Sequence, residues 1–501
     1  MRSRWLLLAV VSAGLLLITL DNSILYAALP TLVQDLGASS SQSLWIINAY
    51  PVVMAGLLLG SGTLGDRIGH RRMFLIGLVI FGVASLAAAF SPTAETLIAA
   101  RAFLAVGAAA MMPATLALIR IAFDDERERN LAIAVWGTLA IVGSALGPII
   151  SGLLLGHFWW GSVFLINVPV VVAALIATLV VAPPNDSDPT KRWDLLSSLL
   201  ALVALVALVP AIKETAKTSP AYAVIAVAVL AAVIAGYAFV RRQRRLPYPL
   251  LDFAIFRNRA FLAGVAAAGF SMFGLAGIQL VTTQRFQLVE GFSPLSAGLL
   301  VAALALGALP TSMVAGAILH RVGLLPIVAG GLGLSTVGSL LVLLNFDSSL
   351  GWLIAGLLIT GAGLGAAMSV ASSAIMNNVS ARRAGMASSV EEVSYEFGSL
   401  IAVALLGSLL TAVYAATIDL PAGVPDSARD SLDAALALAG DENLSLVAAA
   451  SDAFDGAYFA VMIVVTAVMA LGTIVTGLLL RRPGSAPSVR THEEARSYAH
   501  Q

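Results

Sequence analysis

The sequence contains no cysteine and few charged residues, and both absences limit what the chain can be. Without cysteine it has no disulfide, no thiolate metal ligand and no cysteine nucleophile. Only 11% of its 501 residues are charged, against about 25% in an ordinary soluble domain. Hydrophobic residues make up 59% instead. This composition excludes an ordinary soluble protein and indicates a chain that lies in a lipid bilayer.

Motifs of common enzyme classes are absent as well. The sequence has no GxxxxGK[ST] phosphate-binding loop, no HExxH zinc-binding helix and no GxSxG nucleophile turn. It also has no large soluble domain of the kind that a receptor carries. We therefore expect neither an enzyme nor a receptor, and no bound cofactor or metal.

Apolar stretches long enough to cross a bilayer recur along the whole chain. A helix needs about 20 residues to cross a hydrocarbon core of about 30 Å. Fourteen stretches have about this length: 5–29, 45–63, 73–90, 96–118, 131–155, 163–182, 195–212, 220–240, 260–281, 295–318, 326–345, 351–373, 386–413 and 457–480. The sequence therefore predicts an all-α integral membrane protein with 14 transmembrane helices.

The distribution of basic residues predicts which loops face the cytosol, because Lys and Arg accumulate in cytoplasmic loops. With a cytosolic N-terminus, all but five of the 28 basic residues fall in inner loops and tails. The exceptions are Lys213, Lys217, Arg285 and Arg429 in outer loops and Arg101 within a span. We therefore expect both termini in the cytosol.

A glycine-rich motif occurs twice, as GTLGDRIGHRR at 62–72 and as the degenerate copy GAILHRVG at 316–323. Aligning the copies pairs Gly62 with Gly316, Arg67 with Arg321 and Gly69 with Gly323. This register matches the second and third spans to the tenth and eleventh, and it leaves the seventh and eighth unmatched. The sequence thus predicts six helices, an inserted pair and six more helices, as in transporters built of parallel repeats. The corresponding domains are residues 1–190, 191–245 and 246–501, the last with an external loop at 414–455.

The first copy of the motif has the composition of a conformational latch. Its glycines permit tight turns, and Asp66 can cap a helix or pair across helix ends. The basic residues can hold inner loops together. The predicted latch residues are Gly62, Asp66, Arg67, Gly69, Arg71 and Arg72. A simple topology anchor is the alternative, which explains the arginines but not the spaced glycines and the aspartate.

Four acidic residues are predicted inside spans: Asp21 in span one and Glu391, Glu392 and Glu396 in span thirteen. An ionised carboxylate in hydrocarbon costs about 2.5 to 3.5 kcal/mol on insertion scales, so these residues are functional candidates. On a helix of about 100° per residue, Glu392 and Glu396 share a face, whereas Glu391 points to the side.

The paired glutamates are expected to exchange protons. Burial and mutual repulsion disfavour ionising both, so at least one should have a raised pKa, which lets it take up a proton near physiological pH. Deprotonated, the same groups would bind a cation, and competition between proton and cation is sufficient for antiport. The alternative is a structural acid that is hydrogen-bonded inside the bundle or, for Glu391, one that extends to the cytosolic interface.

Arg101 is the one basic residue predicted inside a span, at a depth similar to that of Asp21. The two side chains could meet. A pair would relieve the unfavourable burial of each charge and could open and close as Asp21 is protonated, although a permanent structural ion pair explains the same residues.

Span five contains GSALGPIISG, in which Gly143, Gly147 and Gly152 lie near one face and Pro148 bends the helix. Small residues let a neighbouring helix approach closely or slide, which favours a moving seam, although close-packed spans use glycine generally. Two aromatic residues inside spans, Trp136 and Tyr395, could stack on a cationic ligand or simply pack.

The external loop at 414–455 carries eight acidic residues and one arginine. Part of it has the amphipathic pattern of a short helical hairpin on the outer surface. It is either an acidic vestibule that gathers or releases cations, or a solvated loop whose charge keeps it out of the membrane.

These motifs together resemble the fourteen-helix drug/proton antiporter family of the major facilitator superfamily, which contains many multidrug exporters. The resembling segments are GTLGDRIGHRR, LDNSILYAALP at 20–30, GSALGPIISG and WWGSVFLINVP at 159–169. The resemblance covers nearly the whole chain. It implies the major facilitator fold and, in this chain, a location in the cytoplasmic (inner) membrane of a bacterium.

By resemblance, Asp21 and Glu396 are the principal proton or cation acids, Glu391 and Glu392 flank them, Arg101 serves proton coupling and Asp66 belongs to the latch. The chain departs from the family pattern at Leu104 and Ala105, where span four usually has Gln and Gly, and at Ser151, where the span-five signature often has glycine. Span ten also lacks an acid that some relatives have, so whether the chain transports dications is left open.

The implied function is proton-driven export of lipophilic organic cations, such as quaternary ammonium biocides and dyes. The expected partners are these cations, protons and the lipid bilayer, without nucleic acid, and the chain is expected to act as a monomer. A symporter or uniporter for a metabolite is the alternative, but neutral solutes do not require a cluster of buried acids.

Overall fold

The computed structural model describes residues 2–123, 125–185, 187, 193–215, 221–246, 249–345, 349–379, 384–421, 423–439 and 443–481. All regular structure within these residues is helical. The helices are α1 Arg2–Leu36, α2 Ser40–Ile68, α3 His70–Ala89, α4 Ala94–Ala122, α5 Glu126–Leu155, α6 Ser162–Leu165, α7 Asn167–Val181, α8 Leu195–Thr215, α9 Tyr222–Gln243, α10 Arg259–Leu288, α11 Pro294–Val322, α12 Leu324–Leu344, α13 Leu350–Met376, α14 Ala384–Thr417, α15 Leu432–Ala439 and α16 Leu444–Arg481. Two short 3₁₀ segments, Phe253–Arg257 and Asp426–Arg429, complete them.

Each predicted apolar stretch falls on a helix, but not every helix is long and apolar enough throughout to count as a membrane span. Among the described residues 12 helices qualify, or 13 if α2, which bends by 57° between Leu58 and Gly60, is one span. In α5 only Leu146–Leu155 forms a sufficiently apolar helix. The all-α membrane architecture is therefore confirmed, whereas the count of 14 and the orientation stay predictions.

The helices pack as two groups with a pair beside them. Helices α1 to α7 contact one another, helices α10 to α16 contact one another, and α8 and α9 pair with each other against α2. This packing has the order expected of six helices, an inserted pair and six more. The domain boundaries stay a prediction, and the one between 190 and 191 lies outside the described residues.

The two groups, called here the N-terminal and C-terminal halves, touch along α5 with α11 and along α2 with α14. We call the end that carries residues 37–39 and 423–439 the outer end, after its predicted orientation. There the backbones approach so closely that Gly152 and Gly298 leave no room for a side chain: Gly152 meets the backbone of Leu295, and Gly298 meets the carbonyl of Pro148. The outer end is therefore closed.

The inserted pair covers the other seam between the halves. Gly56 of α2 packs directly on Leu202 of α8. Nearby, Val52 of α2, Val209 of α8 and Leu400 of α14 form one buried apolar cluster. Because α8 touches both α2 and α14, it shields this seam from lipid.

A salt bridge fastens the inner ends of α8 and α9. Arg242 donates from Nε to Asp194 Oδ2 at 3.1 Å and from a terminal nitrogen to Oδ1 at 2.9 Å. Ser197 donates its backbone N–H to the same carboxylate at 3.2 Å. Burial alone would raise the pKa of Asp194, but the hydrogen bonds and charge of Arg242, together with Ser197, hold it below the ordinary value.

We expect Asp194→Asn to lower the free energy of unfolding by about 1 kcal/mol at pH 7, because a bidentate, charge-assisted contact is lost from a partly exposed site. The carboxyl of Asp194 has a lowered pKa in the folded protein. Its contribution to the free energy of unfolding is therefore fully present above the unfolded-state pKa of about 3.9, and it is lost as the pH falls through the pKa of the folded state. Thermal unfolding monitored by tryptophan fluorescence at pH 7 and in acid measures both effects. Equal melting temperatures for wild type and variant at pH 7 would contradict the assignment.

Candidate functional site

A buried ion pair joins Asp21 of α1 to Arg101 of α4. Arg101 is fully buried, Asp21 is 1% exposed, and a terminal nitrogen of Arg101 donates to Asp21 Oδ2. Arg101 also donates from Nε to the carbonyl of Ile46 at 3.3 Å, and its guanidinium carbon lies 4.7 Å from the ring centroid of Tyr50. The structure thus brings together the two residues that the sequence placed at similar depth. Removing either partner would leave an uncompensated buried charge.

Asn167, which is not among the predicted residues, holds the other oxygen of Asp21. Its Nδ2 donates to Asp21 Oδ1 at 2.9 Å and lies 3.3 Å from Ser85 Oγ. Asn167 enters the bundle where the predicted sixth span breaks at Ile166 into α6 and α7. An amide inside an otherwise apolar span was the available signal. With both carboxylate oxygens bonded, Asp21 has a fixed orientation.

Glu396 of α14 lies across the interface between the halves from this ion pair. It is 8% exposed, and its Oε2 has no hydrogen-bond partner within the described part of the chain. Its charge interacts with that of Arg101. The hydroxyls of Tyr26 and Ser399, 3.2 Å apart, join α1 to α14 one turn away. A buried acid of the C-terminal half therefore faces the buried arginine of the N-terminal half, and a proton or a cation at Glu396 changes the charge at this interface.

The other two glutamates of α14 have different surroundings. Glu391 is 8% exposed and accepts a hydrogen bond from Ser372 of α13 at 3.3 Å. It also contacts the hydroxyl of Tyr395. Glu392 is half-buried, and its charge interacts with both neighbouring glutamates. Glu391 is thus bonded inside the C-terminal half and does not extend to the cytosolic interface.

Trp136 lies on α5 and is 9% exposed. Its indole Nε1 is buried and, among the described residues, has no hydrogen-bond partner. A buried indole N–H usually has one. Tyr395, by contrast, donates its hydroxyl to the carbonyl of Met368 in α13 at 3.5 Å, and the charge of Glu391 interacts with it. Stacking of either ring on a cationic ligand stays a prediction.

The glycines of α5 lie against two different helices. Gly143 packs on Thr19 and Gly147 on Ser23, both in α1, so α5 and α1 are in close contact within the N-terminal half. Gly152 instead meets α11 of the C-terminal half. The predicted seam residues therefore include two that touch the opposite half directly, Gly152 and Pro148, whose carbonyl lies against Gly298 of α11.

The predicted loop at 62–72 is wrong in its extent. Helix α2 continues to Ile68 and α3 begins at His70, so Gly69 alone makes the turn, with φ of 94°. Gly323 makes the same break in the second copy, with φ of 85°. One residue suffices because glycine adopts positive φ without steric strain, and helical hydrogen bonding continues on both sides of it.

The remaining latch residues are distributed over several contacts. Asp66, in the last turn of α2, lies 3.0 Å from Nε2 of His70, and Arg71 donates to the carbonyl of Leu179 in α7 at 2.8 Å. Both contacts stay inside the N-terminal half. Gly62 faces Ser389 of α14, and the side chains of Arg67 and Arg72 are exposed.

Arg285 and Asp455 were both assigned to outer loops by the sequence, and this is wrong. Helix α10 continues to Leu288 and α16 already begins at Leu444. Both helices therefore extend beyond the apolar stretches from which the spans were predicted. Arg285 is 3% exposed; its Nε donates to Asp455 Oδ1 at 2.7 Å, and it lies 3.2 Å from Glu290. The guanidinium also lies over the ring of Tyr458 at 5.4 Å. This cluster ties α10 to α16 at the outer end.

This combination of two packed groups of helices and buried charges at their interface defines a membrane transporter rather than an enzyme. The model of the Major Facilitator Superfamily matches residues 11–403, and the chain belongs to this superfamily.

Named proteins of this class are similar to the chain over most of its length. It is 36% identical to the multidrug efflux pump LfrA of Mycolicibacterium smegmatis over 491 residues, which cover 95% of this chain and 96% of LfrA. It is also 36% identical to the methyl viologen resistance protein SmvA of Salmonella typhimurium over 422 residues, or 84% of this chain and 85% of SmvA.

Among solved structures, a bacterial homologue of the human lysosomal transporter Spinster, in an inward-facing and unoccupied conformation, has a similar fold. The TM-score is 0.65 at 15% identity, with 96% of this chain and 99% of the homologue covered. At this identity the likeness shows the fold alone.

Proposed function

We propose that the chain is a proton-coupled antiporter that exports lipophilic organic cations across the cytoplasmic membrane of a bacterium. Its superfamily contains transporters, and two similar proteins are named a multidrug efflux pump and a methyl viologen resistance protein. These names support export of drugs. Methyl viologen is itself an organic cation, which supports the substrate class.

One observation carries the coupling: Glu396 is a buried acid with an unbonded carboxylate oxygen among the described residues, and it faces Arg101 across the interface between the halves. Proton binding there removes a negative charge opposite Arg101. Cation binding there instead requires the deprotonated acid. The occupant of Glu396 therefore alters the electrostatic attraction between the halves, and this attraction biases which end is open.

The proposed cycle alternates the access of two six-helix halves, with 14 spans and both termini cytosolic. With the outer end open, protons enter, neutralise the acids and displace the cation. With the inner end open, the acids release protons, and a cation from the cytosol or the inner leaflet binds. Asp21, Glu391 and Glu392 assist Glu396, Trp136 and Tyr395 contact the cation, and the seam along α5 slides. The proton gradient supplies the energy, and a single chain completes the cycle.

Proteoliposomes containing the purified protein test the proposal. With an interior one pH unit more acidic than the exterior, one-for-one exchange supports about tenfold accumulation of a monovalent cation such as ethidium, because one pH unit equals about 1.36 kcal/mol. Nigericin, which collapses the gradient, should abolish the accumulation. Accumulation with an alkaline interior would indicate symport instead, and accumulation that persists with nigericin would exclude proton coupling.

A further inference from the structure

A small cavity lies at the outer end, on the seam between the halves and beneath α15. It encloses about 60 Å³ and is lined by residues of both halves, including Leu44 of α2, Gln284 of α10 and Tyr414 of α14. A volume of this kind holds several water molecules, or one small ammonium group. The cavity is too small for a whole dye molecule in this closed arrangement.

The roof of the cavity is fixed to both halves. Of the segment between α14 and α16 the structure describes residues 418–421, 423–439 and 443, which contain the 3₁₀ segment Asp426–Arg429 and α15. The hydroxyl of Tyr414 donates to the carbonyl of Ala428 at 3.1 Å, and that of Ser40 in α2 donates to the carbonyl of Asp430 at 3.0 Å. The described part of the external loop therefore packs over the seam through these two contacts, while the side chains of Asp419, Asp426 and Asp430 are exposed.

Asp433 places a carboxylate in this cavity. Its Oδ1 is buried and has no hydrogen-bond partner in the part of the chain that the structure describes, whereas Gln34 of α1 hydrogen-bonds the carboxylate. Burial raises the pKa of Asp433 above its ordinary value, although the hydrogen bond from Gln34 opposes this effect. No described basic residue forms an ion pair with it. A buried, unbonded carboxylate oxygen is energetically unfavourable unless a donor or cation reaches it.

Two aromatic rings stand beside this carboxylate. Tyr414 and Phe454 line the cavity, with ring centroids 6.4 Å apart and planes at 65°. The charge of Asp433 interacts with Tyr414. A carboxylate next to aromatic faces is the arrangement that binds quaternary ammonium groups, because the ring quadrupole and the negative charge attract the same cation.

We propose that this cavity is an outer binding site for the quaternary ammonium head of an organic cation, held by the carboxylate of Asp433 and the rings of Tyr414 and Phe454. The site lies between the acids at the centre of the seam and the outer face. A cation that leaves Glu396 meets it before release, and this order of events rests on the proposed direction of transport. The binding itself does not depend on that direction.

The alternative is that Asp433 only anchors α15 through Gln34. The anchoring role needs one carboxylate oxygen and leaves the other buried without a partner. A cation site instead uses the unpartnered oxygen and does not require the anchoring contact, because the carboxylate keeps its charge with or without the neutral amide of Gln34.

Binding of tetramethylammonium to the purified full-length protein in lipid nanodiscs, measured by titration calorimetry at neutral pH, tests the proposal. We expect Asp433→Asn, which keeps the size of the side chain, to weaken binding at least tenfold. Phe454→Leu should weaken it about threefold to tenfold because one aromatic face is lost. Gln34→Leu removes only the anchoring contact and should leave the affinity within about threefold of wild type.

Three results would overturn the proposal. Wild-type affinity in Asp433→Asn would show that the carboxylate does not bind the cation. An equal loss in Gln34→Leu and Asp433→Asn would show that Asp433 only anchors α15. Binding lost in Glu396→Gln but kept in Asp433→Asn would place the probe at the centre of the seam. Because this assay contains no proton gradient, failure of proton coupling in the proteoliposome assay leaves its outcome unaffected.

Discussion

Replacing Glu396 by glutamine is expected to reduce proton-driven ethidium transport by a hundredfold or more, equivalent to about 2.7 kcal/mol or more. Glutamine has nearly the same size as glutamate, so the packing of α14 is preserved. It neither binds nor releases a proton, and it carries no charge to attract a cation or to face Arg101. The variant should therefore fold, bind lipophilic cations weakly and transport them without response to the gradient. Proteoliposome accumulation of ethidium at an acidic interior measures the loss.

The matched control is Glu391→Gln, the same substitution five residues earlier on the same helix. Glu391 accepts a hydrogen bond from Ser372 and contacts Tyr395, so it already has partners inside the C-terminal half. We expect this variant to lose only a fewfold in rate. If Glu396→Gln retained half of the wild-type gradient-driven accumulation, the central role of Glu396 would be excluded. Equal losses in the two variants would mean that the glutamates act as one cluster.

Replacing Arg101 by alanine is expected to lower the free energy of unfolding by about 3 to 5 kcal/mol, because it leaves the buried carboxylate of Asp21 without its counter-charge. The arginine is fully buried, donates to Asp21 and to the carbonyl of Ile46, and stacks on Tyr50. No neighbouring side chain replaces all of these contacts. A large fall in melting temperature, followed by tryptophan fluorescence of the purified protein, is the expected observation.

A second variant separates charge balance from transport. In the double variant Arg101→Met with Asp21→Asn, neither side chain is charged. Asn167 can still donate a hydrogen bond to the side-chain oxygen at position 21. We expect this double variant to recover most of the lost stability but none of the gradient-driven transport. An Arg101→Ala protein as stable as wild type would contradict the buried pair. A double variant that transports normally would show that the pair is structural and unnecessary for coupling.

The variant Arg101→Lys tests how much of the stability depends on the charge alone and how much on the guanidinium geometry. An ammonium group keeps the charge but lacks the planar fork that serves Asp21 and the Ile46 carbonyl together, and it stacks less well on Tyr50. Arg101→Lys should therefore have a stability between those of wild type and the alanine variant.

The candidate site was partly predictable because charged residues inside apolar spans are conspicuous. Asp21, Arg101 and Glu396 stand out for that reason alone, since burying an isolated charge in hydrocarbon is unfavourable. Asn167 carries no charge, and Arg285 and Asp455 sit just beyond the apolar windows, where a charge is unremarkable in a sequence. Their partners lie on other helices, so only packing could identify them as bonded.

The duplicated glycine motif illustrates the same difference. Its two copies fix the register of the repeat, and the turns at Gly69 and Gly323 share a positive φ, of 94° and 85°. The length of the turn was overestimated, because Gly62 and Gly65 permit a turn but lie inside α2.

Composition and the spacing of apolar stretches determined by themselves that this chain is an all-helical membrane protein, because the hydrocarbon core imposes both the hydrophobicity and the length of each span. The repeated motif determined the internal duplication, and the buried charges marked the residues worth testing. Only the tertiary structure decided that Glu396, and not Glu391, faces Arg101, and that Asp433 of α15 lines a cavity on the seam between the halves. Such contacts join residues far apart in the chain, and they depend on helix rotation and approach, which local sequence does not specify.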